Sequence, residues 1–119
     1  TENLRKLAQA FWPGPFTLVM KSVDGRYQGM RIPNHDLVRE VIRTIGRPLI
    51  ATSANLSGND PHESADDAFK DLAGEPDFVV LQERDKVPSS TVVQLHDDGS
   101  IEILRAGVIS EEAVRQALE

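Results

Sequence analysis

The sequence predicts an α/β fold, in which a mixed sheet of parallel and antiparallel strands has flanking helices. Segments of helical and of strand periodicity alternate along the 119 residues, a pattern typical of α/β domains. Two hairpin turn signals, Asp24-Gly25 and Asp98-Gly99, each lie between two strand-like runs and therefore indicate antiparallel neighbours. The sheet is thus expected to be mixed rather than fully parallel.

The chain is expected to begin with a helix and a hairpin. Leu4 and Phe11 belong to an apolar helical face, and this helix should end near Trp12 because Pro-Gly-Pro follows. Strands are expected at residues 16–20 and 27–32, on either side of the first hairpin turn.

A second helix and a short strand should follow the hairpin. Asn34 is the expected helix cap, and Gly46 the expected closing residue. Residues 48–52 are mostly apolar without polar alternation, which favours a strand covered on both faces. The polar residues after position 51 are therefore expected at the mouth of a buried strand.

The remaining elements are a third helix, further strands and a last helix. Ser64 is the expected cap of a helix within residues 61–73, and Ser110 is the expected cap of the last helix. Aromatic and β-branched runs predict strands at residues 78–81, 90–95 and 101–104.

Composition narrows the classes of function. A formal net charge of −6 opposes broad binding to nucleic-acid phosphates, so RNA contact has no support from charge. Cysteine is absent, which excludes disulfides, thiolate nucleophiles and zinc–thiolate sites. No apolar run approaches the roughly 20 residues of a membrane span. A cytoplasmic protein without a membrane partner is expected.

One polar segment, RPLIATSANLSGND at residues 47–60, suggests a ligand site. Thr52, Ser53 and Asn55 have short side chains with both donors and acceptors. Open α/β sheets bind ligands where strands end, and small residues there allow a phosphate to approach the backbone. The alternative is an ordinary turn built from Ser, Asn and Gly.

A second polar segment precedes the strand at residues 90–95. Ser90 lies at its start, and Arg31 and Arg105 lie at the ends of two other expected strands. Arginine suits bidentate recognition of carboxylate or phosphate. The alternatives are an ordinary strand start for Ser90 and a solvated surface position for each arginine.

Other chemistries find little support. His35, His62 and His96 are far apart and lack the spacing of a metal site, so capping or solvated roles are expected for them. The chain contains no Gly-rich phosphate loop and no nucleophile elbow.

Five segments together resemble one family. They are FWPGPFTLV, RIPNH, ATSANLSG, PSSTVVQL and ILRAG, between residues 11 and 107. In order and approximate spacing they are similar to the C-terminal part of the YrdC-like domain of threonylcarbamoyl-AMP synthases. The resemblance implies a twisted mixed sheet with a concave, positively lined cavity. It also implies that residues 1–119 are the C-terminal portion of a single YrdC-like domain.

The resemblance further implies an activity. Members of this family combine L-threonine, bicarbonate and ATP, with Mg²⁺ accompanying the nucleotide, into threonylcarbamoyl-adenylate and release pyrophosphate. The product serves threonylcarbamoyladenosine modification of tRNA, so tRNA-modification proteins are expected partners.

The same resemblance implies contacts for seven polar residues. Those expected at ATP are Thr52, Ser53, Asn55 and Arg105. Those expected at threonine are Arg31 and Ser90, with Thr17 lining the cavity. No residue is assigned a covalent catalytic role and none a metal ligand, because adenylation needs mainly positioning and charge stabilisation from protein.

The chain departs from the family pattern in two ways. It contains no Lys-x-Arg pair, which in the family lies in the N-terminal half and contacts threonine and ATP, so this chain alone is not expected to catalyse the reaction. Gln94 stands where the family commonly has an acidic residue. Two alternatives remain: a paralogue that binds nucleotide or RNA without synthase activity, and a truncated interaction module whose exposed strand edges pair with another chain.

Overall fold

The computed structural model describes residues 1–60, 62, 64–80 and 89–119, and it divides the chain into two compact units. The first unit comprises residues 1–47 and 88–119. The second unit comprises residues 48–87. None of the helices in the described ranges is long and apolar enough to cross a membrane.

The first unit contains a four-stranded mixed sheet and three helices. Its elements in chain order are α1 (Glu2–Phe11), β1 (Phe16–Lys21), β2 (Tyr27–Met30), α2 (Asp36–Ile45), β3 (Thr91–Leu95), β4 (Ile101–Arg105) and α4 (Glu111–Leu118). The label α3 belongs to a helix of the second unit. The strand order is β2-β1-β3-β4. β1 and β3 are parallel, and the two hairpin pairs are antiparallel. The predicted mixed α/β sheet is confirmed.

Local signals explain most element boundaries. Gly25 and Gly99 adopt positive φ in the two hairpin turns, as glycine readily does. Gly46 ends α2 in the left-handed conformation, and the Ser110 side chain accepts the N–H of Ala113 at the start of α4. The predicted Asn34 cap is wrong by one residue. His35 is the cap, and its Nδ1 accepts the N–H of Val38 at 3.4 Å.

The hydrophobic core lies between the sheet and two helices, α1 and α4. Buried and half-buried residues alternate along β1 and β3, because neighbouring strand residues point to opposite faces. The fully buried core residues are Phe16 and Leu18 on β1, Val93 on β3, Leu7 on α1 and Val114 on α4. The opposite face of the sheet is therefore the face of Thr17 and Val92.

The second unit contains the third helix and little other regular structure among its described residues. α3 (Ala65–Phe69) begins at Ser64, whose Oγ accepts the N–H of Asp67. This confirms the predicted cap, although the helix is shorter than the predicted region.

Two predicted strands are wrong. Residues 48–52 and 78–80 form no strand, and Ile50 and Phe78 are almost fully exposed. A strand needs the backbone groups of a neighbouring strand, and in the described part of the chain no ladder reaches these segments. Apolar composition alone was therefore not sufficient to predict a strand in these two segments. The end of the second predicted strand, Leu81, lies outside the described residues.

Candidate functional site

Three of the predicted site residues meet on the sheet face opposite the core. The Oγ atoms of Thr17 and Ser90 are 3.2 Å apart, and either can be the donor. Arg105 Nη2 donates to Ser90 Oγ at 2.9 Å. Arg105 Nε and Nη2 also donate to the Ser90 carbonyl oxygen, at 3.1 and 3.0 Å. Two hydroxyls and a guanidinium thus form one hydrogen-bonded group, here called the hydroxyl–arginine cluster.

Strand register explains why these residues converge. Thr17 on β1 pairs with Val92 on β3, and Val92 pairs with Arg105 on β4. Ser90 lies two residues before Val92 and shares its face, since strand side chains alternate. One row across the sheet therefore contains Thr17 and Arg105, and Ser90 lies two residues away along the chain on the same face.

A β-bulge places Arg105 in that row. Val93 pairs with Ile103, but Val92 pairs with Arg105, so Leu104 is an extra residue on β4. If β4 were regular and had no bulge, alternation would put Arg105 on the same face as Ile101 and Ile103, which pack against the core. Bulges commonly redirect a side chain beside a functional site. Here the bulge turns a cation away from the core and toward Ser90.

The cluster retains unused hydrogen-bonding capacity. Guanidinium has five N–H donors, and within the described residues the Nη1 group of Arg105 donates to none. Ser90 Oγ accepts from Arg105, so its own proton can be donated to Thr17 or to a ligand. Ser90 is only 7% exposed, whereas Arg105 is an exposed residue. The arrangement suits an anionic group such as a carboxylate.

Two further residues support Ser90, and sequence reasoning missed both. A Cβ at Gly107 would lie 2.4 Å from Thr91 N and 2.5 Å from the Ser89 carbonyl oxygen, so only glycine fits where the chain after β4 passes the start of β3. The fully buried Thr91 hydroxyl donates to the Ile109 carbonyl at 2.7 Å and accepts its N–H at 3.1 Å. The glycine two residues after Arg105 was the available sequence signal.

Arg31 is held by the turn before β1. It follows Met30, whose partner on β1 is Leu18, and its Nε donates to the Gly14 carbonyl at 3.0 Å. Gly14 is itself held, because its N–H donates to the Ile32 carbonyl at 2.9 Å. The turn before β1 thus fixes Arg31 at the end of β2.

The remaining predicted site residues lie in a loop of the second unit. Asn55 Nδ2 donates to the carbonyl oxygens of Leu56 and Asn59, both at 2.9 Å. Its Oδ1 is buried and has no partner among the described residues. Thr52 and Ser53 are exposed neighbours in the same loop. The loop therefore combines the predicted turn with one buried acceptor that could meet a ligand.

A carboxylate connects this loop to the residues after α3. Asp71 Oδ2 accepts the N–H of Leu56 at 3.2 Å and lies 2.6 Å from His62 Nε2. The hydrogen bond to His62, with a smaller contribution from the Leu56 N–H, lowers the pKa of Asp71 below its ordinary value. Asp71 and His62 were not predicted as site residues.

His35 has the expected capping role, whereas the expectation of a capping or solvated role is wrong for His62, which is a partly buried partner of Asp71. His35 caps α2, His62 contacts Asp71, and His96 Nε2 lies 3.5 Å from Glu102. Within the described residues, no group of three acidic, histidine or cysteine side chains could hold a metal ion.

Comparison with known families decides the classification. The Sua5/YciO/YrdC family model, described as telomere recombination, matches residues 1–107. The chain belongs to this family. A Methanocaldococcus jannaschii protein with the provisional name threonylcarbamoyl-AMP synthase is 34% identical over 113 residues, which cover 88% of this chain and 53% of that protein.

Solved structures of the Sua5/YciO/YrdC family have the same fold. The crystal structure of Pyrococcus abyssi Sua5 complexed with L-threonine matches 98% of this chain with a TM-score of 0.82 and 28% identity. A doubly substituted P. abyssi Sua5 matches with a TM-score of 0.81 and 29% identity. This chain covers 37% and 38% of those two chains. It also spans about half the length of the curated relative.

Proposed function

We propose that residues 1–119 are the C-terminal portion of a single YrdC-like domain in a protein that makes L-threonylcarbamoyladenylate. The substrates would be L-threonine, bicarbonate and ATP, and the product would serve tRNA modification. The observation that carries this proposal is the hydroxyl–arginine cluster, in a chain whose structural relative is a Sua5 complexed with L-threonine. Membership in the Sua5/YciO/YrdC family supports the same conclusion.

The cluster matches the chemistry of threonine. The carboxylate of the amino acid needs N–H and O–H donors, and Arg105 Nη1 and the Ser90 hydroxyl can supply them. Burial of Ser90 lowers the local dielectric and strengthens such a contact. Arg31, fixed at Gly14, would add a second cation. In this proposal Arg105 contacts threonine, whereas the family resemblance assigned it to the nucleotide.

The Asn55 loop suits the nucleotide with its magnesium ion. Because Asn55 Nδ2 already donates to two carbonyls, its remaining group is the acceptor Oδ1. An amide oxygen fits Mg²⁺ or a magnesium-bound water, since Mg²⁺ prefers oxygen ligands and keeps several waters. The hydroxyls of Thr52 and Ser53 are the donors that phosphate oxygens require.

The proposed reaction makes modest demands on these residues. The threonine amine and bicarbonate give a carbamate and water. A carbamate oxygen then bonds to the α-phosphorus of ATP, and the bond to pyrophosphate breaks, with its electron pair leaving on pyrophosphate. Positioning and cationic stabilisation of the leaving group supply most of the catalysis in such steps. No serine nucleophile is needed.

An activity assay on the full-length protein that contains this chain tests the proposal. With ATP, Mg²⁺ and bicarbonate, pyrophosphate should appear only when L-threonine is added. Arg105→Gln should raise the KM for threonine roughly tenfold or more, because a charged hydrogen bond is worth about 1.5–3 kcal/mol. Arg115→Gln is the matched control, since Arg115 lies on α4 and pairs with Glu111. Threonine-independent turnover, or none, would contradict the proposal.

The interaction-module alternative is favoured by one observation. α2 has an apolar helical face, yet none of its residues is buried. Leu37, Val41 and Ile45 are each 40–46% exposed. Exposed apolar patches often mark interaction sites. This alternative predicts stable oligomers in light scattering, and a monomer that makes the adenylate would rule it out as the main role.

A further inference from the structure

We propose that Asp71 is a positioning residue for Asn55, acting by holding the Leu56 N–H while the Asn55 side chain holds the Leu56 carbonyl. The inference rests on the proposed function, because it concerns the side chain assigned there to the nucleotide. Asp71 itself contacts no substrate in this proposal. Its role is to fix the loop that directs the Asn55 oxygen.

The Leu56 backbone is the shared element of two hydrogen bonds. Its N–H donates to Asp71 Oδ2 at 3.2 Å, and its carbonyl accepts from Asn55 Nδ2 at 2.9 Å. Asn55 Nδ2 also reaches the Asn59 carbonyl at 2.9 Å. Both donor hydrogens of the amide are thereby used, which leaves Oδ1 as the remaining acceptor.

Side-chain hydrogen bonds largely determine the conformation of this loop. Residues 48–60 form neither helix nor strand, so no ladder of backbone hydrogen bonds defines their path. One backbone contact within the loop is the Asn59 N–H to the Leu56 carbonyl at 3.0 Å. Asp71, fifteen residues beyond Leu56, ties the loop to the chain that follows α3. Its removal should therefore free the peptide that orients Asn55.

His62 fixes the carboxylate of Asp71. The two side chains are 2.6 Å apart, and the Asp71 side chain is only 17% exposed. A carboxylate restrained by a neighbour loses less conformational freedom when it accepts the Leu56 N–H. The three residues form an ordered sequence of contacts from His62 through Asp71 to Leu56.

The test uses Asp71→Ala and Asp71→Asn in the full-length protein. Asp71→Ala removes the acceptor, whereas Asp71→Asn keeps an oxygen of similar position. Asp77→Ala, at an exposed acid of the same unit, is the matched control for lost charge. Amide hydrogen exchange at Leu56 reports the contact itself, and calorimetry reports Mg-ATP and L-threonine affinity.

Asp71→Ala should accelerate Leu56 exchange and weaken Mg-ATP binding by roughly three- to tenfold, the range for loss of one or two hydrogen bonds. L-threonine affinity should stay unchanged, which a general loss of folding would not allow. Asp71→Asn should restore most of the ATP affinity, and Asp77→Ala should match the wild type.

Two results would distinguish an error in the positioning role of Asp71 from an error in the nucleotide role of Asn55. Unchanged Leu56 exchange in Asp71→Ala would overturn the positioning role, whatever the activity. A wild-type protein that binds no Mg-ATP, with Leu56 exchange still dependent on Asp71, would instead overturn the nucleotide role proposed for Asn55. Equal loss of ATP and threonine affinity would also overturn the positioning role, since it would show a general structural effect.

Discussion

The two units of this chain prepare their candidate site residues by different means. In the first unit, sheet register, a bulge and a buried core fix Thr17, Ser90 and Arg105. In the second unit, whose one described helix has five residues and no buried side chain, hydrogen bonds from Asn55 and Asp71 hold the loop. Backbone architecture positions the first group, and individual side chains position the second. Mutations should therefore act through different mechanisms in the two units.

The largest expected difference between the units is in the free energy of unfolding lost when a phenylalanine is replaced by alanine. Phe16 is fully buried in the core and Phe78 is 92% exposed. Phe16→Ala should lower the free energy of unfolding by about 3–5 kcal/mol, because it removes buried area and leaves a cavity. Phe78→Ala should change it by no more than about 0.5 kcal/mol. Urea denaturation followed by tryptophan fluorescence measures both, since Trp12 lies beside the core.

A matching loss for the two variants would remove the distinction between the units. It would mean that Phe78 is covered in solution, and that the second unit has its own packed core. A circular dichroism spectrum of Phe16→Ala before denaturation would show whether the variant is folded at the start of the titration.

Local sequence signals predicted the elements of the first unit well. The hairpin glycines and the Ser110 cap gave the strands and the last helix because each depends on neighbouring residues. The two failed strands, at residues 48–52 and 78–80, depended on a partner strand that sequence periodicity does not reveal. The one-residue error at the α2 cap has a smaller cause, since both Asn34 and His35 can accept an N–H.

The sequence predicted which residues belong to the candidate site, but it did not predict how they are arranged in space. Serine, threonine and arginine at strand ends were visible in the sequence, and their position in the family motifs suggested substrates. The bulge at Leu104, which turns Arg105 toward Ser90, has no sequence signal in this chain. Asp71 was equally hidden, because a carboxylate fifteen residues from its loop partner resembles any solvated acid.

The next largest expected difference is in the stability lost when a glycine of each unit is replaced by alanine. A Cβ at Gly107 would meet backbone atoms of residues 89–91 at 2.4–2.5 Å, whereas a Cβ at Gly74 would meet nothing within 4 Å. Gly107→Ala should cost about 1–3 kcal/mol of stability, because backbone atoms cannot yield as a flexible side chain can. It should also weaken threonine binding by displacing Ser90. Gly74→Ala should be neutral or slightly stabilising.

Thermal denaturation and threonine titration of both variants measure these effects. If Gly107→Ala binds threonine normally, the crossing of the chain over the start of β3 is not what positions Ser90. If Gly74→Ala is strongly destabilising, the second unit is more closely packed than the structure indicates.

The smallest expected contrast is in the response to acid. The pKa of Asp71 is lowered chiefly by its hydrogen bond to His62, and that of Asp67 by Lys70 and Ser64. Two turn aspartates of the first unit, Asp24 and Asp98, have pKa values lowered chiefly by Ser22 and Ser100. In each case the folded state binds the proton less readily than the unfolded state. The stabilisation is therefore complete above the ordinary aspartate pKa of about 3.9 and is lost as pH falls through the lower folded values.

The consequence should differ between the units because their other interactions differ. In the first unit, protonation of Asp24 and Asp98 weakens turns, but Phe16, Leu18 and Val93 remain buried. In the second unit, protonation of Asp71 removes the charged acceptor of the Leu56 N–H, and no buried apolar side chain of α3 replaces it. Between pH 5 and pH 2.5, the protection factor of the Leu56 amide should therefore fall before those of the β3 amides, with each exchange rate divided by its intrinsic value. Asp71→Asn should remove the acid dependence at Leu56 while leaving that of the Asp98 turn. Simultaneous loss at Leu56 and β3 would show that one cooperative unit, rather than a separately held loop, carries Asn55.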